Sequence, residues 1–134
     1  MIMSQTSAVS KGFDAALAAS LLSDAPRPAL RLGAALFAGA RLLSVGCNLY
    51  SRSHPASANG VNFVRSTHAE HQCLLRRKHF DKMSGRLTLF VARRLADGAV
   101  GDSRPCSNCL ALAKLADVRK IWFYEAGVQR ELVL

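Results

Sequence analysis

The sequence predicts an α/β fold, a three-layer α/β/α sandwich around a five-stranded mixed sheet. Two observations carry this. Helical and extended patterns alternate along the 134 residues in the order α-β-β-α-β-α-β-β, and such alternation builds layers of helix on sheet. The last two extended runs are separated by only about four residues, whereas a parallel crossover needs roughly a dozen or more. The fourth and fifth strands are therefore expected to form an antiparallel C-terminal hairpin. The length suits one domain, and no internal repeat is visible. Residues 1–9 are polar and small, expected as a flexible N-terminus, with a single domain over residues 10–134.

From Ser10, apolar residues at Phe13, Leu17 and Leu21, with Leu22 beside them, mark one helical face. Pro26 and Pro28 end that segment. Leu32 to Phe37 and Arg41 to Cys47 read as two buried strands joined by a tight turn at Ala38-Gly39-Ala40. Leu49 to Thr67 reads as a long loop holding Tyr50 and Phe63, and loops of that length are functional or disordered. A helix is expected from His68 to about Phe80, with Cys73, Leu74 and Leu75 facing inward and Ser84-Gly85 beyond it as a break. Arg86 to Leu95 is a third strand, and Ala96 to Arg104 a polar loop. Pro105 stands where helices start, and Cys109, Leu112, Ala113 and Ala116 mark the buried side of the helix that follows. Ile121 to Tyr124 is the fourth strand, Ala126-Gly127 a turn, and Glu131 to Leu134 the fifth.

Composition bounds the function. Half of the residues are apolar, enough for a real core, and 18 Lys and Arg against 9 Asp and Glu give a net charge of +9. That charge suits phosphate-bearing partners, although a merely soluble basic protein would show it too. The four cysteines, with no signal peptide ahead of them, read as reduced thiols rather than a disulfide framework. The apolar stretches are too short, or interrupted by charge, to span a bilayer. No membrane partner is expected, and the compartment expected is the cytoplasm.

Two short motifs carry chemistry: His68-Ala69-Glu70, and Pro105 followed by Cys106-Ser107-Asn108-Cys109. His68, Cys106 and Cys109 offer imidazole nitrogen and thiolate sulfur, the donors that Zn2+ takes in tetrahedral geometry. Three protein ligands leave a fourth position for water. Cys106 and Cys109, three positions apart at a helix start, present both sulfurs on one side, where the helix dipole favours thiolate. Glu70, two residues beyond His68, can reach the same pocket as a general acid/base. Alone, a Cys-x-x-Cys could be redox-active or incidental, and a purely structural zinc site needs no Glu70. His71 is a conceivable stand-in ligand or a neighbour of the site. His54 and His79 read as ordinary loop and helix-end residues, and Cys47 and Cys73 as small core residues. Arg76-Arg77-Lys78 reads as a solvated helix face or a phosphate contact.

With these residues the chain resembles the cytidine deaminase superfamily over residues 10–134. The resemblance rests on Gly33-Ala-Ala-Leu, Gly46-Cys47-Asn48, the His68/Glu70 pair, and Pro105 with its two cysteines. It implies a five-stranded sheet of the cytidine deaminase type, zinc held by His68, Cys106 and Cys109, and Glu70 as proton shuttle. It further implies that Asn48 contacts the sugar or base and that the Ala69 backbone meets the pyrimidine edge. The terminal hairpin looks like the free-nucleoside and blasticidin deaminase side of the superfamily. Two residues depart from the free-nucleoside pattern. His68 stands where those members usually have cysteine, and Asn48-Leu49-Tyr50 lacks the carboxylate that in them binds a ribose hydroxyl.

The function expected first is hydrolytic deamination of a cytosine ring in a nucleoside, nucleotide or related small molecule. The alternative is deamination of cytosine, before adenine, within single-stranded DNA or RNA. The +9 charge and the loop carrying Arg52, His54 and Arg65 favour that alternative, and Tyr50 and Phe63 would be its stacking residues. A non-catalytic zinc-binding protein is a third reading, opposed by the intact Glu70. A homo-oligomer is possible, since Leu132-Val133-Leu134 suits an edge strand as well as a buried one.

Overall fold

The computed structural model describes residues 5–25, 31–49, 68–76 and 86–134. Among the described residues three helices lie on a mixed sheet: α1 (Gln5–Ser20), α2 (Ala69–Arg76) and α3 (Ser107–Leu115). The strands are β1 (Leu32–Ala38), β2 (Arg41–Cys47), β3 (Leu87–Arg94), β4 (Val100–Gly101), β5 (Val118–Glu125) and β6 (Val128–Val133). The sheet order is β2-β1-β3-β5-β6, open at both edges, with the short β4 paired to the end of β3. Among the described residues only β3 and β5 are parallel, joined through α3; every other pair is antiparallel. The expected terminal hairpin is β5–β6, turning at Ala126 and Gly127, both at positive φ. The two-residue β4 was not expected within the polar loop, where its residues are too few to show a period.

Alternate side chains of the central strands feed two cores, one per face. Ala34, Leu36, Leu89, Val91, Ile121 and Phe123 meet α2 and α3 through Ala69, Cys73, Leu74 and Ala113. Ala35, Phe37, Phe90 and Ala92 meet α1 through Val9, Phe13 and Ala16. Each large apolar side chain buried in these layers contributes roughly 1.5–3 kcal/mol.

Three expectations about the elements need correction. The first helix begins at Gln5 rather than Ser10. Its buried face runs through Val9, Phe13, Ala16 and Ser20. Leu21 and Leu22 lie beyond its end and are exposed. Small residues win that face because α1 packs almost against the backbone of β1: a Cβ on Gly33 would collide with the Ala16 carbonyl. The second strand is buried only in its last part, because β2 is an edge and its start, Arg41 and Leu42, is exposed. Leu75 faces solvent rather than the core, while Cys73 and Leu74 are buried as expected. Of the helix expected to Phe80, Ala69–Arg76 is observed, and residues 77–80 lie outside the described residues.

Helix α2 is fastened to β2, and this positions the site. Ser44 Oγ donates to the Cys73 carbonyl at 2.8 Å, and the Cys47 N–H donates to Gln72 Oε1 at 2.9 Å. Gly46 makes the approach possible: a Cβ there would lie 2.5 Å from Cys73 N and 2.7 Å from Ala69 O. The N-terminus of α2 is thereby held beside the C-terminal end of β2.

Candidate active site

The site lies at one end of the sheet, where β2, β3 and β5 finish and α2 and α3 begin. His68 immediately precedes α2, and Cys106 is the N-cap of α3. Pro105 is buried just ahead of that cap, in an extended approach. Cys106 takes φ −76°, ψ 170° and caps without a side-chain hydrogen bond, so its sulfur is not spent on the helix.

His68 Nδ1 is 3.4 Å from Cys109 Sγ and 3.7 Å from Cys106 Sγ, and the two sulfurs are 3.5 Å apart. These three residues form the one group among the described residues able to hold a metal ion. A tetrahedral zinc with Zn–S near 2.3 Å and Zn–N near 2.0 Å separates its ligands by about 3.5–3.8 Å. The donor triangle observed is of that size, and its chemistry, two thiols and an imidazole, suits zinc. The residues present fit the ion.

The electrostatics agree. Hydrogen bonds from Cys109 and His68 pull the Cys106 thiol down to about 3. Donation to Cys106, then burial, pushes Cys109 up. A divalent cation binds such a pair of thiols by displacing their protons. His68 is raised chiefly by its hydrogen bond to Cys106.

Glu70, in the first turn of α2, is buried at 6% exposure. Burial pushes its carboxyl up, against lowering by its own backbone N–H and by the neighbouring His68. It shares a cavity of about 190 Å³ with Leu32, Asn48, His68, Ala69, Ser103, Arg104 and Cys106. Asn48 is buried there, its Oδ1 accepting the Leu32 N–H at 2.8 Å. His71 is buried, its ring 5.6 Å from that of His68, and it stands outside the donor triangle.

Six of the residues singled out from the sequence therefore converge: His68, Glu70, Cys106, Cys109, Asn48 and Ala69. Tyr50 and Phe63 lie outside the described residues, as do Arg52, His54, Arg65, Arg77, Lys78 and His79. Cys47 and Cys73 are buried in the core, as expected. Two polar lining residues were missed, Ser103 and Arg104. Buried Ser103 donates from Oγ to the Val91 carbonyl at 2.8 Å and accepts the Tyr124 N–H at 2.9 Å. Their one signal in the sequence is position, immediately before Pro105, where the chain must be extended. A separate apolar cavity of about 140 Å³ opens between α1 and the far face of the sheet, against Phe37, Phe90 and Trp122. It contains neither histidine nor cysteine.

No protein-family model matches the sequence, and no curated protein matches it. Solved structures do. Cytidine deaminase from Burkholderia pseudomallei is similar with a TM-score of 0.67 and 18% identity, over 98% of this chain and 93% of that one. dCMP deaminase from the cyanophage S-TIM5, in apo form, is similar with a TM-score of 0.61 and 20% identity, over 89% and 82%. At such identities the likeness is one of fold, and the fold is that of the cytidine deaminases, as the resemblance in sequence implied.

Proposed function

We propose that the chain is a zinc-dependent hydrolytic deaminase, converting a cytosine ring to uracil with release of ammonia, on a nucleoside, nucleotide or related small molecule. One observation carries the reading: His68 and Cys106 of the donor triangle line the same cavity as buried Glu70. A purely structural metal site has no use for a buried carboxylate in an adjoining cavity.

Zinc, when bound, supplies a Lewis acid that lowers the pKa of a water toward about 7. Glu70 accepts a proton from that water and delivers it to the ring nitrogen N3, while the water oxygen bonds to C4. It then carries the second proton to the amine. The C4–N bond breaks, ammonia leaves and the carbonyl remains, so one water is consumed per ammonia released. The raised Glu70 carboxyl suits a group that must both take and give a proton. Asn48 orients sugar or base, and the Ala69 N–H, at the start of α2, meets the pyrimidine edge, where a first-turn donor has no carbonyl within its own helix. Tyr50 and Phe63 are proposed to complete the substrate contacts.

The net charge of +9 favours a second reading, the same chemistry on cytosine within single-stranded DNA or RNA. No helix among the described residues is long and apolar enough to cross a membrane. The proposed setting is the cytoplasm, and a homo-oligomer could form through the edge strand β6.

Ammonia release is the test, with cytidine, deoxycytidine, their monophosphates and a cytosine-bearing oligonucleotide as substrates. Glu70→Ala is expected to abolish it. Equal rates for the two proteins would overturn the mechanism.

A further inference from the structure

Arg104 lines the cavity beside His68, Glu70 and Cys106, yet the deamination chemistry makes no use of it. A cytosine ring is neutral, and attack at C4 calls for a proton shuttle rather than a fixed cation. The backbone of Arg104 is held on both sides, by buried Pro105 after it and by the doubly bonded Ser103 before it. The tip is held loosely. The guanidinium carbon stands 5.3 Å from the Phe123 ring centroid. Its Nη1 lies 3.8 Å from Glu125 Oε2, and the two side chains are 53% and 40% exposed. A pair of that length and exposure binds its partners weakly. Glu125 also meets Arg130 Nε at 3.7 Å, so it keeps a counter-charge if Arg104 swings away.

We infer that Arg104 binds a phosphate ester on the substrate, so that the substrate class is a cytosine nucleotide rather than the bare nucleoside. The inference rests on the deaminase reading and names its substrate. A guanidinium fork matches two phosphate oxygens at once, and a side chain anchored at its base and only weakly paired at its tip can turn to meet them. The cavity offers no carboxylate other than Glu70 among its described lining residues, and Arg104 is the one Lys or Arg among them. The phosphate is assigned to a mononucleotide, and the experiment separates this from the phosphodiester of a strand.

The experiment is equilibrium binding to the zinc-loaded Glu70→Gln chain, which holds ligand without turning it over. Cytidine, cytidine 5′-monophosphate and a short single-stranded cytosine oligonucleotide are compared, with Arg104→Ala and Arg104→Lys added. The monophosphate is expected to bind about 10- to 100-fold more tightly than cytidine. Arg104→Ala should erase most of that ratio and Arg104→Lys keep part of it. Equal affinity for cytidine and its monophosphate, or an equal loss for both in Arg104→Ala, overturns the inference. An oligonucleotide held more tightly than the monophosphate, with the same dependence on Arg104, overturns the mononucleotide assignment in favour of a strand. Failure of the wild-type chain to release ammonia from any of the three, with the binding ratio intact, sinks the deaminase reading instead.

Discussion

Asn48 and Leu32 are tied by two hydrogen bonds. Asn48 Oδ1 accepts the Leu32 N–H at 2.8 Å, and the Asn48 N–H donates to the Leu32 carbonyl at 3.2 Å. Ser23 Oγ adds a third tie, donating to the Asn48 carbonyl at 2.7 Å. The start of β1 and the end of β2 thus fix which way the carboxamide faces in the cavity wall.

Two substitutions at Asn48 separate structure from recognition. Asn48→Ala strands the Leu32 N–H and should cost about 1–3 kcal/mol in urea unfolding, with KM raised as well. Asn48→Asp keeps an acceptor for Leu32 but lacks the amide donor. It should stay within about 1 kcal/mol of the parent and still lose substrate affinity. Recovery of KM by Asn48→Asp would make Asn48 purely structural.

The donor triangle predicts about one zinc per chain, as tetrahedral sites hold one ion. Cys106→Ser and Cys109→Ser should both lose the metal on dialysis, read by elemental analysis. Their stability should differ. Cys106 is exposed and Cys109 is buried at 1% exposure, so Cys109→Ser also places a hydroxyl in an apolar layer and should unfold earlier in denaturant. Retention of zinc by both variants would remove the metal centre from the account.

The candidate metal site and the fold were legible in the sequence for different reasons. His68, Glu70, Cys106 and Cys109 are readable because their chemistry restricts both residue type and spacing, and each motif opens a helix. Strand positions were readable because β1 and β3, buried on both faces, are continuous apolar runs. The α1 face was misread for a physical reason. Phe13 and Leu17 do pack on that core, but Leu21 and Leu22, which extend the hydrophobic signal, lie past the helix end, and the sheet approaches so closely that alanine, glycine and serine fill the rest of the face. Ser103 and Arg104 carried no pattern at all. They matter through the loop that β4 and Pro105 shape, a tertiary effect without local periodicity.

Gly46 is where β2 and α2 nearly touch, so Gly46→Ala is a test of how the site is assembled. The added methyl would press on the backbone of Cys73 and Ala69, which cannot turn aside as a side-chain tip can. The cost expected is about 1–3 kcal/mol or more, as for other overpacked cores. Because the same contact seats the helix carrying Glu70, kcat should fall even at temperatures where the variant is fully folded. A variant with reduced stability and full activity would show that the α2 position tolerates the shift.

Cys73 gives the chain an alkaline limit. It is fully buried against Ser44, and burial pushes its thiol up to about 12 from 9.0, opposed by the Ser44 hydrogen bond and by Arg76 and reinforced by Glu70. The folded state therefore holds the proton more tightly than the unfolded chain does. This stabilisation is fully present below pH 9 and is lost as pH rises from about 9 to about 12. By pH 10 the loss should be on the order of 1 kcal/mol, and it should grow further toward pH 12. Unfolding free energies of the parent and Cys73→Ala, compared between pH 8 and pH 10, isolate this contribution. The parent should lose on the order of 1 kcal/mol more than the variant over that range. Alkylation is the independent readout: at pH 8 the Cys73 thiolate is scarce and enclosed, so iodoacetamide should label it only as fast as the chain opens. Equal pH slopes in the two proteins, together with rapid native-state labelling of Cys73, would mean that the thiol is not sealed between β2 and α2.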